Sequence, residues 1–163
     1  MTTPNSTQPT ESDLLAQAVR LALDNVATGG EPFGALVVRD GQVLGTGVNS
    51  TVRDVDPTAH AEVAAVRNAC RQLGTSSLIG STVVSSCEPC AMCQAVCAFA
   101  GVSRIVYAAP REFVPDLGKP PRPDLTEMQD ALRELAGDSI QYVPIPGAEE
   151  PFASYIAGTG SPS

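Results

Sequence analysis

The sequence predicts an α/β domain of three layers, with a sheet between two layers of helices. Three observations lead there. Helical and extended hydrophobic patterns alternate through the second half of the chain, an order that suits right-handed crossovers and a largely parallel sheet with both faces covered. Short apolar runs such as "GSTVVSS" and "SRIVYAA" read as strands, the first of them buried. And 163 residues, 43% of them apolar and 17% charged, suit one compact domain that buries roughly two-thirds of its unfolded surface.

Each element has its own signal. Residues 1–9 are polar with two prolines and read as a disordered tail. A helix is expected from near Thr10, where "TESD" can form a capping box. Its apolar residues Leu14, Leu15, Ala18, Val19, Ala22 and Val26 recur at helical spacing, and Gly29–Gly30 stop it. "FGALVVRD" and "QVLGTGVN" read as a hairpin turning at Asp40–Gly41. A second helix is expected from about Thr58 through "HAEVAAVRNACRQL" to Gly74.

After the "GSTVVSS" strand, "EPCAMCQAVCAFAG" reads as a helix opening at Pro89, and "SRIVYAA" as the next strand. Five prolines between Pro110 and Pro123 predict a long loop. "DLTEMQDALRELAG" reads as a helix capped by Asp124, with Glu127 three residues on. "SIQYVPIP" is an edge strand by its prolines, and "PFASYIA" a short last helix. There are no internal repeats. The expected organisation is therefore a tail over 1–9, a single domain over 10–158 and a flexible end over 159–163.

Charge and composition exclude some functions. With 10 basic and 18 acidic residues the net charge is -8, and no run of Arg or Lys offers a nucleic acid its phosphate contacts. No stretch approaches the roughly 18 apolar residues of a membrane span. "MTTPNSTQPTESD" has neither the basic nor the apolar region of a secretory signal, so a cytoplasmic location is expected. Five cysteines are an odd number, and four of them crowd between Cys87 and Cys97. In such a chain that points to metal or redox chemistry rather than to a disulfide framework.

Cys90 and Cys93 fall at i, i+3 near the start of a predicted helix, where the helix dipole stabilises thiolates. His60, the single histidine, lies near the start of another. Two thiolates and an imidazole suit Zn²⁺. The alternatives are a thioredoxin-like redox pair, or a structural zinc with Cys87 or Cys97 as fourth ligand. Cys97 and Cys70 read better as core, and Cys87 as a buried thiol beside the site. Glu62 favours a catalytic site. A structural zinc has no use for a carboxylate two residues from its histidine, whereas a catalytic one keeps a position for water and a base at hand.

His60-Ala61-Glu62 followed by Pro89-Cys90-Ala91-Met92-Cys93 reproduces H-x-E…P-C-x-x-C, the pattern of zinc deaminases in which the Glu is acid/base and not ligand. With "PFGALVV", "DPTAHAEVAAVRNACRQLG", "SSCEPCAMC" and "RIVYAA", the chain resembles the zinc-dependent cytidine/deoxycytidylate deaminase superfamily over roughly residues 12–109. Within it the text is most similar to bacterial guanine deaminases. The resemblance implies a cytidine deaminase-like three-layer α/β/α sandwich around a five-stranded mixed sheet, a homodimer, and hydrolytic release of ammonia from a nucleobase. It implies one Zn²⁺ per chain, held by His60, Cys90 and Cys93 with a catalytic water, and Glu62 as proton shuttle. It further implies base contacts from Phe33, Asn49, the backbone N–H of Ala61 and Phe99, with the Ser86 region meeting the departing ammonia.

The chain departs from guanine deaminases after "YAA". Their acidic, Gly-containing segment supplies a carboxylate to the base, and here "PREFVPDLGKPPRPD" offers Glu112, Asp116 or Asp124 in its place. The tail "AGTGSPS" lacks their pocket aromatic, for which Phe152 or Tyr155 can stand in. The substrate expectation is accordingly a guanine-like purine or a related amino-base such as cytosine, isoguanine or an s-triazine. A tRNA adenosine deaminase is the enzymatic alternative, disfavoured by the charge. A structural-zinc interaction module is the alternative of another class.

Overall fold

The computed structural model describes residues 8–159; the expected tail up to residue 7 and the expected flexible end from 160 lie outside the described residues. Five helices and five strands follow in the expected order. They are α1 (Glu11–Ala27), β1 (Gly34–Arg39), β2 (Gln42–Val48), α2 (Ala61–Leu73), β3 (Thr82–Ser85), α3 (Ala91–Phe99), β4 (Arg104–Tyr107), α4 (Pro123–Ala136), β5 (Ile140–Tyr142) and α5 (Glu150–Thr159). No described helix is long and apolar enough to cross a membrane.

The strands form one sheet in the order β2-β1-β3-β4-β5. It is mixed, as the resemblance implies, and not largely parallel, as alternation alone suggests. β1 runs antiparallel to both β2 and β3, while β3, β4 and β5 run parallel. The reason is the hairpin: β1 and β2 are joined directly through Asp40 and Gly41, both at positive φ (52° and 74°), as a two-residue hairpin turn requires. Only the strands after α2 are connected by helices. β5 is the far edge, as its prolines indicate.

Alternating side chains of the central strands divide between two cores. Leu36, Val38, Val84 and Val106 pack with α1 and with Phe152 of α5. Ala35, Val37, Val83 and Ile105 pack with α2 and α3. Gly45 and Gly47 of β2 let α2 lie directly on the strand. A Cβ at Gly47 would stand 2.2 Å from the Ala61 carbonyl oxygen and 2.4 Å from the Ala65 nitrogen, and one at Gly45 would stand 2.5 Å from the Ala69 nitrogen.

Helix starts differ from expectation in three places. Thr10 caps α1 in the expected capping box with Asp13. However, α2 begins at Ala61 with His60 as its cap, three residues later than Thr58, and α3 begins at Ala91 with Cys90 as its cap rather than at Pro89. α4 begins at Pro123, whose fixed φ suits a first helical position, so Asp124 lies inside the first turn and not at the cap. The proline-rich loop is largely irregular, apart from a 3-10 turn over Arg111–Phe113.

Candidate active site

His60 and Cys90 each occupy a helix cap with extended backbone, and neither spends its side chain on capping. Cys93 follows in the first turn of α3. Both helix N-termini therefore aim their partial positive charge at one point. Cys90 Sγ lies 3.5 Å from His60 Nδ1, Cys93 Sγ lies 3.6 Å from it, and the two sulfurs are 3.6 Å apart. Tetrahedral Zn²⁺ with bonds of about 2.3 Å to sulfur and 2.0–2.1 Å to nitrogen requires N···S near ~3.6 Å and S···S near ~3.8 Å. The donor set fits zinc in identity and in spacing.

The protons agree. Cys90 is pushed down to about 4, chiefly by its hydrogen bond with Cys93, and Cys93 is pushed up by the same contact and by burial. His60 is pushed up mainly by its contact with Cys90, against the opposing effect of burial. A divalent cation would release the remaining proton. Among the described residues the group that could hold a metal is His60, Cys90 and Cys93. Cys97 is core, its thiol pushed up to about 12 by burial. Cys87 is a buried thiol at the cavity wall, likewise pushed up by burial. Cys70 is only half-buried, against the α2–α3 core.

Glu62, in the first turn of α2, is 7% exposed. Ser85 Oγ donates to its Oε1 at 3.0 Å and the Cys93 thiol to its Oε2 at 3.3 Å. Burial pushes its carboxyl above the ordinary range. A buried carboxyl in contact with a ligand sulfur, with raised proton affinity, is equipped to take and return protons.

A cavity of about 210 Å³ opens beside these groups. Its floor and walls include Phe33, Asn49, His60, Ala61, Glu62, Cys87 and Cys90. Asn49 is oriented by its surroundings. Thr51 N–H donates to its Oδ1 at 3.1 Å, which fixes the amide because a backbone N–H can only donate. The Nδ2 donors are left for the cavity. Ala61 opens α2, so its N–H has no partner within the helix. Phe33 packs edge-on against Phe152, at 6.0 Å between centroids and 61° between planes.

Two expected contacts lie elsewhere. Ser86 turns away from the cavity: its N–H donates to the Gly34 carbonyl and its Oγ accepts from the Gly34 N–H at 3.0 Å. Ser85 is the serine that meets Glu62. Phe99, at the end of α3, is 95% exposed and does not line the cavity. Nor do the three candidate carboxylates. Glu112 is exposed near Arg133, Asp116 accepts from the Gly118 N–H, and Asp124 pairs with Arg122.

The roof comes from residues the sequence does not single out. Val114, Leu117 and Lys119 of the proline-rich loop and Gln129 of α4 close over the cavity, with Arg111 and Glu88 at its side. Glu88, its side chain 2% exposed, is held by the Arg133 guanidinium and accepts from Arg111 N–H at 3.1 Å. Glu31, 6% exposed, binds Lys119 Nζ at 2.6 Å. Gln129 donates to the Pro89 carbonyl at 3.4 Å. One signal was available for Lys119, the sole lysine of the chain. Gln129 sits in an ordinary helical pattern and had none.

Comparisons with known proteins agree with this geometry. The Bacillus subtilis guanine deaminase is 45% identical over 96 residues, covering 58% of this chain and 62% of that protein. A tRNA-specific adenosine deaminase of Agrobacterium fabrum is 41% identical over 95 residues, covering 56% and 62%. The chain thus matches about three-fifths of the length of these relatives. Among solved structures, one in complex with 2,6-diaminopurine superposes with a TM-score of 0.79 at 27% identity, over 95% of this chain and 86% of the other. The X-ray structure of the Bacillus subtilis guanine deaminase gives 0.62 at 29%, over 94% and 98%. A structure from studies of tRNA:A34 deaminases gives 0.58 at 37%, over 60% and 75%. The model of the cytidine and deoxycytidylate deaminase zinc-binding region matches residues 8–109, which hold His60, Glu62, Cys90 and Cys93, and the chain belongs to that family.

Proposed function

We propose that the protein is a hydrolase that deaminates a free amino-nucleobase, a guanine-like purine or a related base such as cytosine, isoguanine or an s-triazine, releasing ammonia. The observation that carries this reading is the size of the cavity. The cavity beside Glu62 holds about 210 Å³, below the roughly 300–1,000 Å³ that accommodates drug-sized ligands. Val114, Leu117, Lys119 and Gln129, from the proline-rich loop and α4, complete its lining. The likeness to the guanine deaminase and diaminopurine structures runs over nearly the whole chain, which supports the same reading.

Zinc held by His60, Cys90 and Cys93 would supply a Lewis acid that makes water a nucleophile at neutral pH. The remaining steps belong to the chain. Glu62 takes the proton of the attacking water and gives it to the ring nitrogen beside the carbon under attack. It then takes the proton of the newly added hydroxyl and passes it to the amine, which leaves as ammonia as the C–N bond breaks and the C=O bond forms. Ser85 holds Oε1, so the side of Glu62 toward the ligands, Oε2, is the proton-carrying edge. Asn49 Nδ2 and the Ala61 N–H donate to acceptors on the base, and Phe33 packs against its ring.

The same proposal includes a homodimer. Phe99 of α3 and Leu135 of α4, 95% and 82% exposed on neighbouring helices, support subunit contacts there. Five free cysteines support a reducing, cytoplasmic location. The tRNA adenosine reading draws on the 41% identity to the Agrobacterium fabrum enzyme. The charge of -8 weighs against it.

The test is to incubate the zinc-loaded protein with guanine, cytosine, isoguanine, ammeline and adenine and to follow ammonia beside a Glu62→Ala control. Ammonia from at least one base, absent in the control, is expected. Silence on every base with zinc fully bound would sink the proposal and move the question to nucleosides and tRNA.

A further inference from the structure

We infer that Lys119 is a positioning residue, coupling closure of the roof to the amide of Asn49 through Glu31 and Thr51. The inference rests on reading Asn49 as a contact to the base. Four side chains form an unbroken polar line. Lys119 Nζ lies 2.6 Å from Glu31 Oε1, Thr51 Oγ1 lies 3.0 Å from Glu31 Oε2, and the same Oγ1 lies 3.0 Å from Asn49 Oδ1.

The hydroxyl of Thr51 has one proton and two acceptors competing for it. A carboxylate is the stronger acceptor when its charge is uncompensated. With Lys119 in place, the ammonium compensates Glu31 and the proton is available to Asn49 Oδ1. With Lys119 withdrawn, the buried Glu31 captures the proton. The hydroxyl then turns a lone pair toward Asn49 Oδ1, and the amide keeps only the Thr51 N–H.

Lys119 is free to act in this way. It belongs to the irregular loop, its side chain is 56% exposed, and it lines the cavity together with Asn49. Glu31 is buried and its backbone is anchored beside Asn49, its carbonyl accepting from Asn25 Nδ2 at 2.7 Å. Asn25 Nδ2 also donates to the Asn49 carbonyl at 2.9 Å, which fixes both acceptors to one point. The roof thereby reports its position to the floor. A base that lets the roof close meets an ordered pair of Nδ2 donors, and one that holds it open does not.

The test compares Lys119→Met, Lys119→Arg, Thr51→Val and the double variant Lys119→Met/Thr51→Val, all zinc-loaded. The first readout needs no substrate: the ¹⁵N–¹H signals of the Asn49 side-chain amide, identified by their loss in Asn49→Ala. Lys119→Met is expected to shift them, Lys119→Arg to restore them, and Lys119→Met to shift nothing once Thr51 is Val. The second readout is steady-state kinetics on the base that the wild type deaminates fastest. Lys119→Met should raise KM about tenfold, the upper end of one neutral hydrogen bond, with kcat changed less than about twofold. In the Thr51→Val background it should raise KM by less than about twofold. Unmoved amide signals in Lys119→Met, or an undiminished effect without the Thr51 hydroxyl, would overturn the inference. A wild type that deaminates none of the bases would overturn the proposed function instead, and the amide signals would still decide on Lys119.

Discussion

The floor and the roof of the cavity are held by different means. The floor is placed by backbone. α2 rests on Gly45 and Gly47 with no side chain between, and His60 and Cys90 are fixed as the caps of two helices. The roof is held by side chains reaching across: Arg133 to Glu88, Lys119 to Glu31 and Arg111 to Asp130. The family match ends at residue 109, where the roof is about to begin. The chemistry shared by the family thus sits where ångström precision comes from packing, and under the proposed function the fit to a particular base sits where single substitutions can change it.

The largest expected effect is on the floor. Glu62→Gln should leave zinc content unchanged and lower kcat by roughly 10²–10⁴, the range for a lost proton shuttle. Metal analysis beside steady-state rates checks this; zinc lost together with activity would make Glu62 part of the metal site and blur the contrast. Next comes Gly47→Ala, whose methyl would meet the α2 backbone at 2.2 Å. It should cost the upper end of the about 1–3 kcal/mol typical of overpacking and weaken zinc binding with it, as denaturant unfolding with and without chelator would show.

Arg133→Met addresses the roof. It leaves Glu88 buried without its main partner, but Arg133 itself is 42% exposed. The cost should therefore be about 2 kcal/mol, below the 3–5 of a fully buried pair, with zinc affinity unchanged. Equal losses of zinc affinity from Gly47→Ala and Arg133→Met would break the distinction between floor and roof.

The smallest effect belongs to neither. Thr10→Ala removes the α1 cap and should cost about 1 kcal/mol at neutral pH. The hydrogen bonds from Thr10 hold the Asp13 carboxyl below its ordinary 3.8. A depressed carboxyl stabilises the fold above its unfolded value and loses that contribution as pH falls through the folded one. The difference between wild type and variant should accordingly shrink below pH 3.8, measured as paired urea midpoints.

The order of elements was legible because each is short and strongly periodic, and His60, Glu62, Cys90 and Cys93 were legible because their spacing is the chemistry. The starts of α2 and α3 were misplaced for a related reason. Their caps are a histidine and a cysteine committed to metal, and not the Ser, Thr, Asp or Asn that marks an ordinary helix start. The parallel bias failed at β1, because alternation says nothing of a hairpin inserted beside the central strand. Ser86 and Ser85 are neighbours that face opposite ways, and strand register alone decides between them. Lys119–Glu31 and Arg133–Glu88 join residues far apart in the chain, and such pairs leave no local pattern to read.

The two glycines of β2 have a consequence for how new specificities can arise. A helix seated directly on a strand cannot slide, tilt or accept a larger neighbour, so variation at the contact positions Gly45, Gly47, Ala65 and Ala69 samples mostly loss of the fold. Variation between 111 and 133 samples cavity shapes above an unchanged zinc site. A combinatorial library confined to the second region should therefore return active enzymes with altered base preference at far higher frequency than one of equal size confined to the first.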